Sequence, residues 1–242
     1  MASMAKQARR AMKRVTTAWR TALIERSPAW ARRRLGPTAT YIDMLLVDHG
    51  VVRMLYLNRH ALGPHAWRSA QPAPHQIRDL ARLGVRTIVN LRGERACGSY
   101  WLEQEACRHY GITLVNYTVR SRAAPTPQEV LGARDLFKRI EYPILLHCKS
   151  GSDRAGLMSV LYRHFQDHVP IAEAKQELAL RYGHIRHADT GVLDYFFERY
   201  LEANARTPVE FVDWLVSDYD PDELKRSFQA NRWANLLTLG RE

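Results

Sequence analysis

Pro143-Ile144-Leu145-Leu146-His147-Cys148-Lys149-Ser150-Gly151-Ser152-Asp153-Arg154-Ala155-Gly156 is the stretch on which the fold turns. Pro143–His147 reads as a short buried strand, and Ala155–Gln166 reads as an apolar helix. The residues between them are small, polar or glycine. In such a turn successive backbone N–H groups can point into one concavity, and the start of the following helix adds its positive dipole end. The join is therefore an anion cradle, and Arg154 would close it with a planar fork of donors suited to a phosphate dianion.

Outward from this join, strand and helix alternate. Gln76–Leu83 predicts a helix capped by Gly84 and leading into a buried strand over Val85–Leu91. Helical character returns over Tyr100–Tyr110, and a short strand follows Gly111 at Thr113–Tyr117. Thr126-Pro127 is an N-cap and first-turn signal for a helix running to Ile140. Further helices are expected from Ile171 to about Tyr182, from Thr190 to about Ala203, and in the tail, where Asp220-Pro221 opens the last one. Val51–Leu57 could be a strand, and Trp67–Pro74 reads as a polar, proline-rich turn. This alternation predicts an α/β fold with a largely parallel sheet of about four or five strands flanked by helices. The expected organisation is a basic N-terminal helix and linker over 1–37, a catalytic domain over 38–205 and a helical extension over 206–242.

A cysteine at the floor of the cradle would feel the nest, the helix dipole and a guanidinium together, and each favours thiolate over thiol. A thiolate facing a bound phosphorus can attack in line and form a thiophosphate ester that water then hydrolyses. The blander reading of Cys148 is an inert cysteine at the end of a buried strand. The pattern of cysteine, five residues and arginine after a short strand, with His147 before it and Gly151 three after, resembles the signature loop of the protein-tyrosine and dual-specificity phosphatases. The resemblance covers about Trp67 to Tyr200, and Trp67-Arg68-Ser69-Ala70-Gln71-Pro72 and Val89-Asn90-Leu91-Arg92 also resemble the front half of small members. It implies that Cys148 is the nucleophile and that Arg154 binds phosphate. Lys149, Ser150, Gly151, Ser152 and Asp153 complete the phosphate-binding loop, and His147 supports it. No cofactor or metal is implied.

Relatives mostly donate the leaving-group proton from an aspartate on a mobile loop, which should lie near Val119–Thr126. From Ala106 to Gln128 the chain carries neither Asp nor Glu. Asp153 is the substitute, a placement similar to that in myotubularin-like and some bacterial lipid and tyrosine phosphatases; the competing reading is a helix cap. Ala155 also departs from the family, standing where many relatives have Ser or Thr. Lys149, with Arg120 and Arg122 on the lid and Arg68 and Arg92 as further rim candidates, suggests a pocket more cationic than one phosphotyrosine needs. The expected substrate is accordingly a phosphorylated protein or an anionic lipid or inositol phosphate. His184, Arg186 and His187 read as an ordinary polar turn, and the histidine pair does not read as a metal site.

At 242 residues, 46% hydrophobic and 25% charged, the chain has the composition of a soluble globular protein with one catalytic core. Its net charge is +11, of which +9 falls within residues 1–34. From Met4 to Leu23 a helical period places Met12, Val15, Trp19 and Leu23 opposite Lys and Arg. That face suits an anionic membrane surface met through residues 1–26, or equally a helix packed on the catalytic domain. Basic residues interrupt any apolar signal core, so the segment is expected to be retained. Three cysteines without paired spacing suggest a reducing, cytoplasmic location, peripheral to a membrane if the basic helix binds one. The rival readings are a catalytically silent phosphate-binding module and a basic nucleic-acid- or membrane-binding protein. No nucleic-acid partner is expected, because only the N-terminal charge speaks for one.

Overall fold

The computed structural model describes residues 56–239, with side chains to residue 230. The basic N-terminal helix, its linker, the domain edge near residue 38 and residues 51–55 of the first possible strand lie outside the described residues. Tyr56 and Leu57 lie outside any strand.

Five strands form one sheet: β1 (His60–Gly63), β2 (Ala66–Ala70), β3 (Thr87–Asn90), β4 (Thr113–Asn116) and β5 (Ile144–Cys148), in the order β1-β2-β5-β3-β4. β1 runs antiparallel to β2, and every other pairing is parallel. The α/β fold with a largely parallel sheet is thus observed. β5 is the middle strand. Its register sets Cys148 opposite Ala70 of β2 and His147 opposite Asn90 of β3.

Alternation along β5 sends its side chains to two different helical layers. Leu145 joins a core with Ile77 and Leu80 of α1 (Pro74–Arg82) and Ala106 and Cys107 of α2 (Gly98–Tyr110). Ile144, Leu146 and Cys148 belong to the larger core on the opposite face, with α3 (Pro127–Arg139) and α4 (Asp153–Phe165). That core continues past a short α5 (Ile171–Ala174) into α6 (Val192–Arg206) and α7 (Phe211–Ser217) and reaches Leu224 of α8 (Pro221–Leu239). Phe211, Trp214 and Leu215 are buried in it, and the Tyr219 hydroxyl donates to the Pro125 carbonyl at 2.7 Å.

Several helix starts follow from local chemistry. Thr126 Oγ1 accepts from the Glu129 amide at 3.2 Å while Glu129 Oε2 accepts from the Thr126 amide at 2.7 Å, a reciprocal cap on α3. Asp220 accepts from the amides of Asp222 and Glu223 at the start of α8.

Two expectations are corrected. Trp67–Pro74 is not a turn throughout, because residues 66–70 form β2. Arg68 and Ser69 are fully buried there, between antiparallel β1 and parallel β5; Arg68 finds its partners in Glu177 and two carbonyls of the loop after β5, and Ser69 Oγ donates to the Ala70 carbonyl. The helix expected from Ile171 to Tyr182 stops at Ala174 and gives way to 3-10 turns over Lys175–Glu177 and Leu180–Tyr182. The Glu177 carbonyl, which a continuous helix would use internally, accepts from Arg68 Nη1 at 2.5 Å, and the Tyr182 carbonyl at the end of the stretch accepts from Asn58 Nδ2 at 2.9 Å.

Candidate active site

α4 starts at Asp153, two residues ahead of the sequence-based start, with Ser152 as its N-cap. Asp153 and Arg154 therefore occupy its first turn. The loop between β5 and α4 is held from behind. Asn58 Nδ2 donates to the Ser150 carbonyl at 2.9 Å, and Arg68 Nη2 donates to the carbonyls of Gly151 and Ser152 at 2.8 and 3.0 Å. With these carbonyls drawn backward, the peptide amides of the same segment are turned the other way, as an anion cradle requires. Gly151 makes the turn possible: its φ is +78°, and a Cβ there would lie 2.7 Å from the Ala70 nitrogen and the Ser69 carbonyl carbon. Gly151→Ala should destabilise the fold by about 2–4 kcal/mol, combining the left-handed strain with a backbone clash. Urea unfolding would measure this, and wild-type stability in the variant would contradict it.

Arg68 was a rim candidate, and the structure corrects that. It is fully buried, ion-paired with Glu177 Oε2 at 3.0 Å, and stacked 4.0 Å from the centre of the Tyr182 ring. Arg92 is corrected likewise. It is buried, and its Nη1 hydrogen-bonds Gln71 Oε1, so it has no place on the rim. Gln71 Nε2 in turn donates to Glu103 Oε2 at 2.7 Å, and Glu103 Oε1 lies 2.7 Å from His147 Nε2, both side chains fully buried. That last approach is close but too bent to count as a regular hydrogen bond. His147 Nδ1 lies 3.4 Å from the Cys148 carbonyl oxygen. Glu103, mid-helix in α2, escaped the sequence reading. Its only signal was a carboxylate on the face that α2 turns to the core.

Beyond the cradle opens a cleft of about 960 Å³. Lys149, Ser150, Ser152, Asp153 and Arg154 form one side of it, and Thr118–Ala123 forms another. The segment expected to be the lid is therefore at the mouth, with Arg120 and Arg122 both exposed there. Arg120 also reaches Glu129 Oε1 at 3.4 Å. Arg95 and Arg181 join the wall, two cations the sequence reading did not select. Cys148, at the end of β5, is 2% exposed. Six Lys or Arg side chains line the cleft against a sole carboxylate, Asp153, among the described residues. No group of His, Cys, Asp or Glu among the described residues is placed to hold a metal ion, and no helix among them is long and apolar enough to cross a membrane.

Asp153 is the first residue of α4, one past its N-cap Ser152, and its Oδ1 lies 2.8 Å from His184 Nδ1. His184 is buried, and its Nε2 lies 2.6 Å from Asp194 Oδ2. Burial alone would lower the His184 pKa, but hydrogen bonds and charge from Asp153 and Asp194 outweigh it and push the value up to about 9. Because that pKa is raised, the bridge contributes its full stability below about pH 6.5 and loses it as pH rises through about 9. His184 had read as part of a plain polar turn. Arg186 fits that reading better, being exposed and paired with Glu198 at 2.7 Å.

A mixed sheet in this order, with a cradle between its middle strand and a helix, is the fold of the protein-tyrosine-phosphatase superfamily. The chain belongs to the family described as "DSP-PTPase phosphatase fused to NAD+ Kinase", whose model matches residues 59–192. It is similar to the dual specificity protein phosphatase TpbA of Pseudomonas aeruginosa, strain UCBPP-PA14, at 31% identity over 142 residues, covering 57% of this chain and 52% of that protein. The same protein from strain PAO1 gives the same identity and coverage. The chain thus spans about half the length of the curated relatives it matches. The crystal structure of P. aeruginosa TpbA superposes with a TM-score of 0.50 at 19% identity, over 71% of this chain and 90% of that one, a likeness of fold.

Proposed function

We propose that this protein hydrolyses phosphate monoesters through a phosphocysteine at Cys148. The cradle amides and Arg154 bind the phosphoryl oxygens, and Lys149 adds charge at the mouth. The Cys148 thiolate attacks phosphorus, an S–P bond forms, and the P–O bond to the leaving group breaks. Asp153 gives its proton to the departing oxygen. Water then attacks the phosphocysteine and returns a proton to Asp153, and the S–P bond breaks to release phosphate and restore the thiolate. His147 supports the loop from beneath.

The observation that carries this reading is the junction itself: buried Cys148 ends the middle strand, and within one turn the chain delivers Asp153 and Arg154 to the wall of a cationic cleft. Family membership supports it, and the matched relative is named a dual specificity protein phosphatase. For substrate, phosphotyrosine or dual-specificity protein targets and phosphoinositide or other lipid phosphates both fit the class. The excess of cations around one carboxylate favours a substrate with more negative charge than a single phosphotyrosine. Association with an anionic membrane would bring such substrates close.

The purified protein should turn over p-nitrophenyl phosphate without added metal, and vanadate and iodoacetate should each suppress the reaction. Phosphotyrosine peptides compared with phosphoinositides in vesicles would then order the substrates. Binding of vanadate with no turnover of any ester would instead identify a silent phosphate-binding module.

A further inference from the structure

We infer that His184 is a positioning residue for proton transfer: clamped by Asp194, it holds Asp153 Oδ1 and leaves Asp153 Oδ2 to face the leaving oxygen. The inference rests on the proposed hydrolase reading and extends it to residues on two other elements. Asp153 sits on the first turn of α4, His184 in the turn before α6, and Asp194 on the first turn of α6. The His184 ring is 1% exposed, Asp194 13% and Asp153 25%, so a buried ring joins two partly exposed carboxylates, one of them on the cleft wall.

A histidine that merely fills space needs one partner for a ring N–H, and a backbone carbonyl would suffice. This one meets a carboxylate at each nitrogen, at 2.8 and 2.6 Å, and one of the two is the sole cleft carboxylate among the described residues. The position of the ring is dictated by the loop. Gly183 enters at φ +80°, and a Cβ there would lie 2.9 Å from Ser152 Oγ, so the turn carrying His184 rests against the cradle.

The chemical consequence concerns charge. As Asp153 loses its proton to the departing oxygen, a carboxylate develops where the His184 Nδ1–H already points, and a preorganised donor there stabilises the transition state more than the ground state. The O–H bond of Asp153 breaks and that of the alcohol forms; His184 keeps its protons throughout. On its other side the ring borders a groove with Lys175, Arg186, His187 and Glu198, and Glu198 takes both Lys175 and Arg186. Asp153 and Asp194 are thus the carboxylates that set its state, in keeping with a pKa pushed up to about 9.

The test compares phenyl phosphate, a poor leaving group, with 2,4-dinitrophenyl phosphate, a good one. His184→Ala should lower kcat on phenyl phosphate by about 10²-fold, with a loss at least tenfold smaller on the dinitrophenyl ester and KM changed little. His184→Asn, whose amide can replace the Nδ1 donor, should recover about tenfold of that loss. Asp194→Asn should show an intermediate loss with the same leaving-group bias. Asp153→Asn combined with His184→Ala should be no slower than Asp153→Asn alone within about threefold, because the two act as one unit. In the wild type, kcat on phenyl phosphate should fall as rising pH takes the His184 proton, and that limb should vanish in His184→Asn. Equal losses on both esters in all the His184 and Asp194 variants, or full additivity with Asp153→Asn, would overturn the role of His184 while leaving the hydrolase reading intact. A wild-type protein inert on both esters would overturn that reading, and this inference with it.

Discussion

Cys148→Ser should remove hydrolysis of every phosphate monoester, lowering kcat on the order of 10⁵–10⁶-fold, the scale seen when a covalent nucleophile is deleted from a preorganised site. A serine hydroxyl at the same point has nearly the same volume but is a far weaker nucleophile without an adjacent base, and the neighbouring His147 sets its Nε2 2.7 Å from Glu103 Oε1, on the opposite face of β5. The cradle should survive, since Gly151, Asn58 and Arg68 hold it through backbone carbonyls that the substitution does not touch. Vanadate or a phosphate monoester should therefore still bind with an affinity within about tenfold of wild type, less than the loss expected from deleting one charge-assisted contact. Calorimetric titration beside a turnover assay would check both halves. An active serine variant would end the phosphocysteine mechanism.

Arg154→Ala should cost about 10³–10⁵-fold in kcat/KM, the range for deleting an arginine that stabilises a phosphoryl transition state. Among the described residues its guanidinium enters no hydrogen bond or ion pair, whereas Arg68 is spent on Glu177 and two loop carbonyls. Arg154→Lys should recover little, because an ammonium cannot span two phosphoryl oxygens as a planar fork does. Unlike Cys148→Ser, both Arg154 variants should also lose vanadate affinity. If they retain it, phosphate recognition belongs elsewhere in the cleft, and Arg122, Arg95 and Arg181 become the residues to examine.

Much of the architecture was legible in the chain. Period and capping found α1, α3, α4 and the start of α8, because Thr126 with Glu129 and Asp220 with Pro221 are local devices whose partners lie within a turn. β2 was missed. A strand carrying Arg and Ser inward looks like a loop until β5 lies beside it and Glu177 arrives from more than a hundred residues away. The break after Ala174 was missed for the same cause: Arg68 claims the Glu177 carbonyl, which propensity would have assigned to a helix.

The candidate site divides along the same line. The cradle, from Cys148 to Arg154, announces itself because one continuous segment supplies strand end, nest and helix start, so sequence spacing is spatial spacing. The side chains that meet it do not. Arg68 and Arg92 carry the same charge as Arg120 and Arg122, yet the first two are buried and the last two stand at the mouth. His184 looked like part of a solvated turn until Asp153 and Asp194 were found on either side of it. Residue type and short-range order establish which groups can bind an oxyanion or move a proton. Whether a charge is buried, and which distant carboxylate it faces, depends on contacts across 31 to 124 residues. A chain encodes those only through the packing of the whole core.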